Sequence, residues 1–260
     1  CTRDGDLPGI IANKSHHATT PEEKYHVVPY RALYVDAGFA SKAQAEAAGV
    51  RIGTPVVYRG NAFMLGPDRL AGTAVDDRAG CAVLVALGDH LAKRAGGPTV
   101  HLCFTTQEEF NLRGAQPLAQ RLQPDIAIQI DLMLACDTPD MADRGEMALG
   151  GGPGMSLYSF HGRGTLNGVI PHPALVRRVE EAAQATGLPL QRSAQTGVLT
   201  DLSYVQLQGH GVACVDLGYP MRYSHSALEV CDLNDLVQLV QLLEATLARI
   251  GPDFDVTEGR

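Results

Sequence analysis

Tryptophan is absent from this 260-residue sequence, and aromatic residues make up only 5% of it. So few rings weaken the case for a surface that binds carbohydrate by stacking. Positive charge is also scarce, because 21 Lys and Arg stand against 29 Asp and Glu, and the formal charge is −8. Without a basic block, the sequence predicts no nucleic-acid partner. No apolar run reaches the roughly 18 residues of a membrane helix, so no membrane partner is expected either.

The cysteines form no CxxC pair, and the glycines do not form a GxGxxG motif after a predicted strand. A zinc knuckle and a dinucleotide site are therefore not predicted. Several cysteines lie within apolar runs, which indicates unpaired thiols in a reducing, cytoplasmic compartment. The six are Cys1, Cys81, Cys103, Cys136, Cys214 and Cys231.

Apolar residues make up 45% of the chain, and after Gly72 apolar strands alternate with amphipathic helices. Helices are predicted over 78–94, 173–186, 202–208 and 233–250, and strands over 99–105, 125–130 and 212–217. This alternation is typical of an α/β sheet with covered faces. Before Gly72 the pattern predicts short strands, including 32–36 and 54–58, and one helix over 42–48 with Ser41 as its N-cap.

Acidic or histidine-bearing segments stand at the ends of these predicted elements. Asp76 precedes a helix, and the others follow strands: Glu108 and Glu109, then Asp131, then His225. Ligands of open α/β sheets bind at the carboxyl ends of the strands, so we expect the five to converge on one crevice. All but Glu108 form an oxygen-and-imidazole set that suits Zn, Mn or Co, as one ion or a bridged pair. Glu108 would remain free to accept a proton from water.

Each of these residues also has an ordinary structural explanation. An Asp before a helix is commonly an N-cap, and the same explanation applies to Thr200-Asp201. A glutamate pair in a loop is commonly solvated, Asp131 could end a strand in a turn, and His225 could be an ordinary loop histidine. Spacing alone leaves these explanations and the metal site both open.

Longer motifs occur around these residues, spread over essentially the whole chain. They are GTAVDDRAGC at 72–81, TTQEEFNLRGA at 105–115, AIQID at 127–131, DTP at 137–139, LGGGP at 149–153, TD at 200–201 and RYSHS at 222–226. In these motifs, and in their order, the sequence resembles the glutamyl aminopeptidase family of dinuclear metallopeptidases. That family includes the tetrahedral and deblocking aminopeptidases, and some of its members carry the name endoglucanase.

The resemblance implies a mixed-sheet α/β/α sandwich catalytic domain over 69–260, lacking its N-terminal portion. It implies a small β domain over 1–68, an incomplete dimerisation-type insert. Asp76 is similar to the carboxylate that bridges two metals, and Glu108 to the general base. Glu109 and His225 match the ligands of one metal, and Asp131 matches the terminal ligand of the other. The implied cofactors are two divalent ions (Zn, Co or Mn) in the full-length protein, the substrate is a peptide, and the assembly is a homo-oligomer, from dimer to dodecamer.

One family feature has no counterpart in this sequence. The family carries a further ligand histidine in an H-x-D motif ahead of the insert, and no H-x-D precedes Asp76. His16, His17 and His26 do not fit that motif. The sequence therefore predicts that the chain lacks the opening part of the catalytic domain. It also predicts that these residues bind at most one metal tightly and show little peptidase activity by themselves.

Three functions are carried forward. The leading hypothesis is an aminopeptidase that removes N-terminal residues from peptides. A glycoside hydrolase using Glu108 is disfavoured, because adjacent glutamates on an extended segment point to opposite sides. A non-catalytic assembly or binding module is supported only by the missing histidine.

Overall fold

The computed structural model describes residues 1–256, and the chain divides into two compact units, Cys1–Arg59 and Gly60–Arg260. The first unit holds an antiparallel pair of strands, β1 (Ile10–Ala12) and β2 (Tyr34–Asp36), one α-helix, α1 (Lys42–Ala47), and three short 3-10 turns. The Ser41 side chain accepts the N–H of Gln44 at 3.3 Å, so it caps α1 as predicted. No residue of this unit is buried. Its role as a dimerisation-type insert stays a prediction.

The second unit contains eight strands and five helices among its described residues. The strands are β3 (Ala62–Leu65), β4 (Arg69–Gly72), β5 (Ile126–Leu134), β6 (Gly154–Phe160), β7 (Gly168–Val169), β8 (Gln191–Thr196), β9 (Ala213–Arg222) and β10 (Glu229–Asp232). The helices are α2 (Val75–Leu91), α3 (Ala115–Leu122), α4 (Pro173–Thr186), α5 (Leu202–Val205) and α6 (Leu233–Leu247). None of the helices described is long and apolar enough to cross a membrane.

The eight strands form one mixed sheet with β9 at its centre. β9 pairs in parallel with β5 along one edge, and antiparallel first with β6 and then with β10 along the other. β4 and β3 continue the sheet beyond β10, while β7 and β8 both pair with β6. Pro220 lies where β9 changes partner from β6 to β10. Proline has no N–H to donate, and at this position the sheet requires no hydrogen bond from it.

Helices cover both faces of this sheet. Because successive side chains of β9 point to opposite sides, this strand contributes to a core on each face. Val215, Leu217, Tyr219 and Met221 pack with α2, α4 and α6 in the main core, whereas Cys214 packs with α3 and α5 in a smaller one. Each fully buried Leu or Val in these cores contributes roughly 1.5–3 kcal/mol of transfer free energy. The mixed-sheet α/β/α fold predicted from the sequence is thus confirmed.

Several predicted boundaries are wrong for identifiable reasons. Residues 54–58 and 99–105 form no strand, because no described strand pairs with either segment and an apolar run needs a partner to make a ladder. β5 and β9 each continue past the predicted end, because they pair with one another over nine residues, as far as Leu134 and Met221, and Arg222 of β9 pairs with Val230 of β10. Helix α4 has the predicted bounds, whereas α5 and α6 end three residues early.

All six cysteines are free, as predicted. Three of them are buried, namely Cys136, Cys214 and Cys231, but Cys1 and Cys81 are exposed. The interpretation of the cysteines as buried apolar residues therefore holds for only part of the set.

Candidate metal centre

Asp76 and Asp77 stand at the start of α2, where the backbone of both is non-helical. Asp77 acts as the cap: its Oδ1 accepts the N–H of Gly80 at 3.1 Å and the hydroxyl of Tyr219 at 2.8 Å. Asp76 instead places Oδ2 3.2 Å from Nε2 of His225. The helix-capping explanation is therefore right for Asp77 and wrong for Asp76.

Glu108 and Glu109 lie in a turn that follows Gln107, whose φ is +58°. The segment just before the turn is tied to the start of α5, where the Thr105 hydroxyl donates to Oδ2 of Asp201 at 2.9 Å. Because the glutamates are not in an extended segment, the strand-alternation argument against a glycoside hydrolase does not apply. The turn leaves Glu108 half-buried and Glu109 exposed.

His225 occupies the connection between β9 and β10 and has a φ of +58°. Non-glycine residues with such backbone angles are concentrated at functional sites in folded proteins. The backbone of His225 is held by Glu229, whose Oε1 accepts its N–H at 2.9 Å. The other oxygen of Glu229 accepts the N–H of Asp76 at 3.0 Å. One buried carboxylate thus positions two residues that are 149 positions apart in the sequence.

Three side chains have the geometry of a metal site: Asp76, Glu109 and His225 each offer one ligand atom, and these atoms lie within 4.8 Å of one another. Nε2 of His225 is 3.2 Å from Asp76 and 3.3 Å from Glu109. A tetrahedral Zn²⁺ with bonds of ~2.0–2.2 Å separates its ligand atoms by about 3.3–3.6 Å. Two carboxylates and one imidazole at this spacing therefore fit a divalent ion with little rearrangement.

Asp131 lies within β5, opposite Gly218 of β9, and not in the turn that the alternative explanation required. Its Oδ1 accepts the N–H of Leu132 at 2.6 Å. Together with Asp76, Glu108, Glu109 and His225, it lines a cavity of about 570 Å³. The structure therefore brings all five sequence-predicted residues to one cavity, although Asp131 lies inside β5 and not at its carboxyl end.

The carboxyl groups of this cavity are electrostatically crowded. Burial, together with neighbouring carboxylates, raises the pKa of Asp76 to about 6 and that of Glu108 to about 8. Burial also raises the pKa of Asp131, as do the nearby Asp77 and Asp76. No Lys or Arg is among the described residues that line the cavity. A divalent cation would supply the positive charge that these groups lack.

Sequence reasoning missed Glu229, because its contacts run to backbone N–H groups of distant residues and leave no local pattern. It also offered Thr200-Asp201 as a helix cap; Asp201 does stand at the N-cap position of α5, but its side chain makes no capping hydrogen bond. The Thr200 hydroxyl donates instead to Asp216 at 2.7 Å. Thr200 and Asp216 both line the cavity.

Glu229→Gln is expected to weaken zinc binding about 10–100-fold while leaving the chain folded, because an amide accepts only one of the two N–H bonds. The measurement is a zinc competition titration, with circular dichroism to verify the fold. Glu146→Gln, an exposed position, is the matched control. Unchanged zinc affinity in Glu229→Gln would show that Asp76 and His225 do not need this carboxylate to bind metal.

Comparison with known proteins identifies the family. The sequence model of the M42 glutamyl aminopeptidases matches residues 1–242. The chain belongs to this family. SgcX of Escherichia coli (strain K12) is 36% identical over 252 residues, which are 97% of this chain and 68% of SgcX. The resemblance inferred from the motifs is thereby confirmed.

Solved structures of M42-type peptidases have the same fold. The TET aminopeptidase from the marine sediment archaeon Thaumarchaeota archaeon SCGC AB-539-E09 matches with a TM-score of 0.90 at 29% identity, over 98% of this chain and 70% of that one. The Pyrococcus horikoshii TET1 peptidase matches with a TM-score of 0.79 at 29% identity, over 95% and 69%. The chain thus spans about two thirds of the length of these relatives.

Proposed function

We propose that the whole protein is a metal-dependent aminopeptidase that hydrolyses the N-terminal residue from peptides. The observation that carries this proposal is the triad of Asp76, Glu109 and His225, with Glu108 beside it in the same cavity of an M42-family chain. Asp131 lines that cavity too. With Asp76 as a shared ligand, it would hold a second divalent ion. Zinc, cobalt and manganese all accept this donor set.

Each residue of the cavity has a proposed task. When bound, divalent ions polarise the scissile carbonyl and make a water more acidic. Glu108, which is not part of the triad, accepts a proton from the attacking water and delivers it to the nitrogen of the leaving amine. Asp76, Glu109 and His225 hold the ion, and Glu229 holds the backbone of two of them in place. The half-buried position of Glu108 keeps its carboxylate partly shielded from bulk water.

Hydrolysis of aminoacyl-p-nitroanilides by the whole protein tests the proposal. We expect activity that disappears after chelation and returns with zinc, cobalt or manganese. The N-acetylated anilide is the control, because an aminopeptidase requires a free α-amino group. Equal cleavage of the acetylated substrate, or hydrolysis of soluble glucan without aminoacyl-anilide cleavage, would contradict the proposal.

We also propose that the protein forms a homo-oligomer in the cytoplasm. The TET1 relative is described as able to assemble into a tetrahedron or a large octahedral shell. In this chain, large apolar side chains of the first unit are highly exposed, with Tyr25 at 90%, Val27 at 95% and Tyr30 at 77%. Such exposure is typical of a surface that another chain covers. Free cysteines are consistent with a reducing compartment. Sedimentation of the whole protein as a monomer would contradict the assembly.

A further inference from the structure

Side chains from neighbouring strands form rows on the face of the sheet that α3 and α5 cover. Ala127 pairs with Cys214 in a first row, which belongs to the apolar core beneath α5. Two residues further along β9 the same face becomes polar. That second row consists of Gln129, Asp216, Ser156 and Ser193, one from each of β5, β9, β6 and β8. All except Gln129 line the cavity that holds the metal centre.

Asp216 is the one acidic residue of this row, and only one of its two carboxylate oxygens has a hydrogen-bond partner among the described residues. It is only 3% exposed, and its Oδ1 accepts the Thr200 hydroxyl at 2.7 Å. Its Oδ2 is buried and has no hydrogen-bond partner among the described residues. Burial raises the pKa of Asp216 to about 6 against the opposing effect of the Thr200 hydrogen bond. An unpaired buried carboxylate is costly unless a donor or a cation reaches it.

Asp216 lies one row from the metal centre. The third row contains Asp131, Gly218 and Gly154, with Asp131 opposite Gly218. Strand spacing places the Cα atoms of Asp216 and Asp131 roughly 8 Å apart. Gly218 and Gly154 have no side chains, and the side chains of Met133 and Met147 lie over Gly154. Asp131 and Asp216 line the same cavity, so a substrate residue held at the metal centre can extend its side chain through this cavity toward Asp216.

We infer that this polar row is the pocket for the N-terminal side chain of the substrate, and that Asp216 makes it select a cationic residue, lysine or arginine. This inference rests on the proposed aminopeptidase function. A lysine side chain combines a long flexible stem with a compact charge, which suits a single unpaired oxygen at the end of a polar channel. The serine hydroxyls of the row offer further acceptors to an ammonium or guanidinium group.

The same arrangement disfavours other residues. An acidic side chain would place a second negative charge beside Asp216, and like charges brought together in an interface repel each other. A neutral aliphatic side chain would bury Asp216 without pairing it. The three ligand carboxylates of the proposed metal centre, Asp76, Glu109 and Asp131, would be neutralised by bound metal, whereas Asp216 would be left for the substrate. Selection therefore depends on this one carboxyl group and not on the net charge of the cavity.

The test measures binding, with lysine hydroxamate and norleucine hydroxamate as probes of the zinc-loaded protein. The hydroxamate chelates zinc equally in both, so the ratio of their dissociation constants reports the side chain alone. We expect lysine hydroxamate to bind at least about tenfold more tightly than the neutral norleucine compound. Asp216→Asn is expected to reduce that ratio to below about threefold. Asp232→Asn, a buried acid of the same sheet outside the cavity lining, should leave the ratio unchanged.

The outcomes separate this inference from the function on which it rests. If both hydroxamates bind the wild-type protein equally well, the pocket does not select a cation, and the proposed metal centre is still supported. If neither binds, the metal centre and the aminopeptidase proposal fail, and the inference with them. The wild-type comparison needs no variant, so it decides the question even if Asp216→Asn does not fold.

Discussion

Glu108→Gln is expected to lower kcat of the whole protein by about two to four orders of magnitude, or about 2.7–5.5 kcal/mol of transition-state stabilisation. Glutamine has nearly the same shape as glutamate but cannot accept the proton of the attacking water. Zinc content should stay the same, because Glu108 is outside the triad of ligand atoms. The measurements are aminoacyl-p-nitroanilide turnover and zinc content on the same purified sample.

Glu109→Gln is the matched control, since it makes the same chemical change one residue along. Oε2 of Glu109 lies 3.3 Å from Nε2 of His225, so this variant should lose zinc as well as turnover. The contrast between neighbouring residues separates a base from a ligand. Equal zinc loss in both variants, or equal retention, would mean that the two glutamates do not divide the tasks in this way.

Metal titration of these 260 residues is expected to reveal one tight zinc site and a second that is weak or empty. Asp76, Glu109 and His225 supply three ligands to the first position, and a water completes the tetrahedron. Only Asp76 and Asp131 are available to the second, by the ligand assignment proposed above. Two protein ligands are too few for a tight zinc site. Equilibrium dialysis against zinc measures the stoichiometry.

His225→Ala should raise the zinc dissociation constant of the tight site at least about 100-fold. Structural zinc sites with four protein ligands bind with about 10–16 kcal/mol, so one ligand accounts for roughly 3 kcal/mol. His161→Ala is the control, because His161 lines the same cavity without belonging to the triad. Two tight ions in the wild-type chain would require a further ligand that replaces the histidine, and the assignment of Asp131 would need revision.

Asp76 and Asp77 show what the local sequence can predict and what it cannot. Acidic residues before an amphipathic segment predict a helix start, and α2 does begin there. Which of the two caps the helix and which faces the cavity depends on Tyr219 and Glu229, which reach them from β9 and β10. Those strands are more than 130 residues away in the sequence. The local pattern therefore predicted the element and the chemistry, but not the division of roles.

From the sequence alone, hydrophobic periodicity indicated an α/β sheet and placed the five proposed site residues at the ends of its elements, because these are local properties of the chain. The α/β/α sandwich and the roles proposed for the five residues came from the family resemblance. The tertiary structure decided what depends on strand register. Pairing of β9 with β5 and β6 places Asp216 between Gln129 and Ser156, and the fold of β10 brings Glu229 under Asp76 and His225. Long-range pairing also excluded 99–105 from the sheet, despite its strand-like composition. Register depends on contacts between segments far apart in the sequence, and no local pattern encodes those contacts.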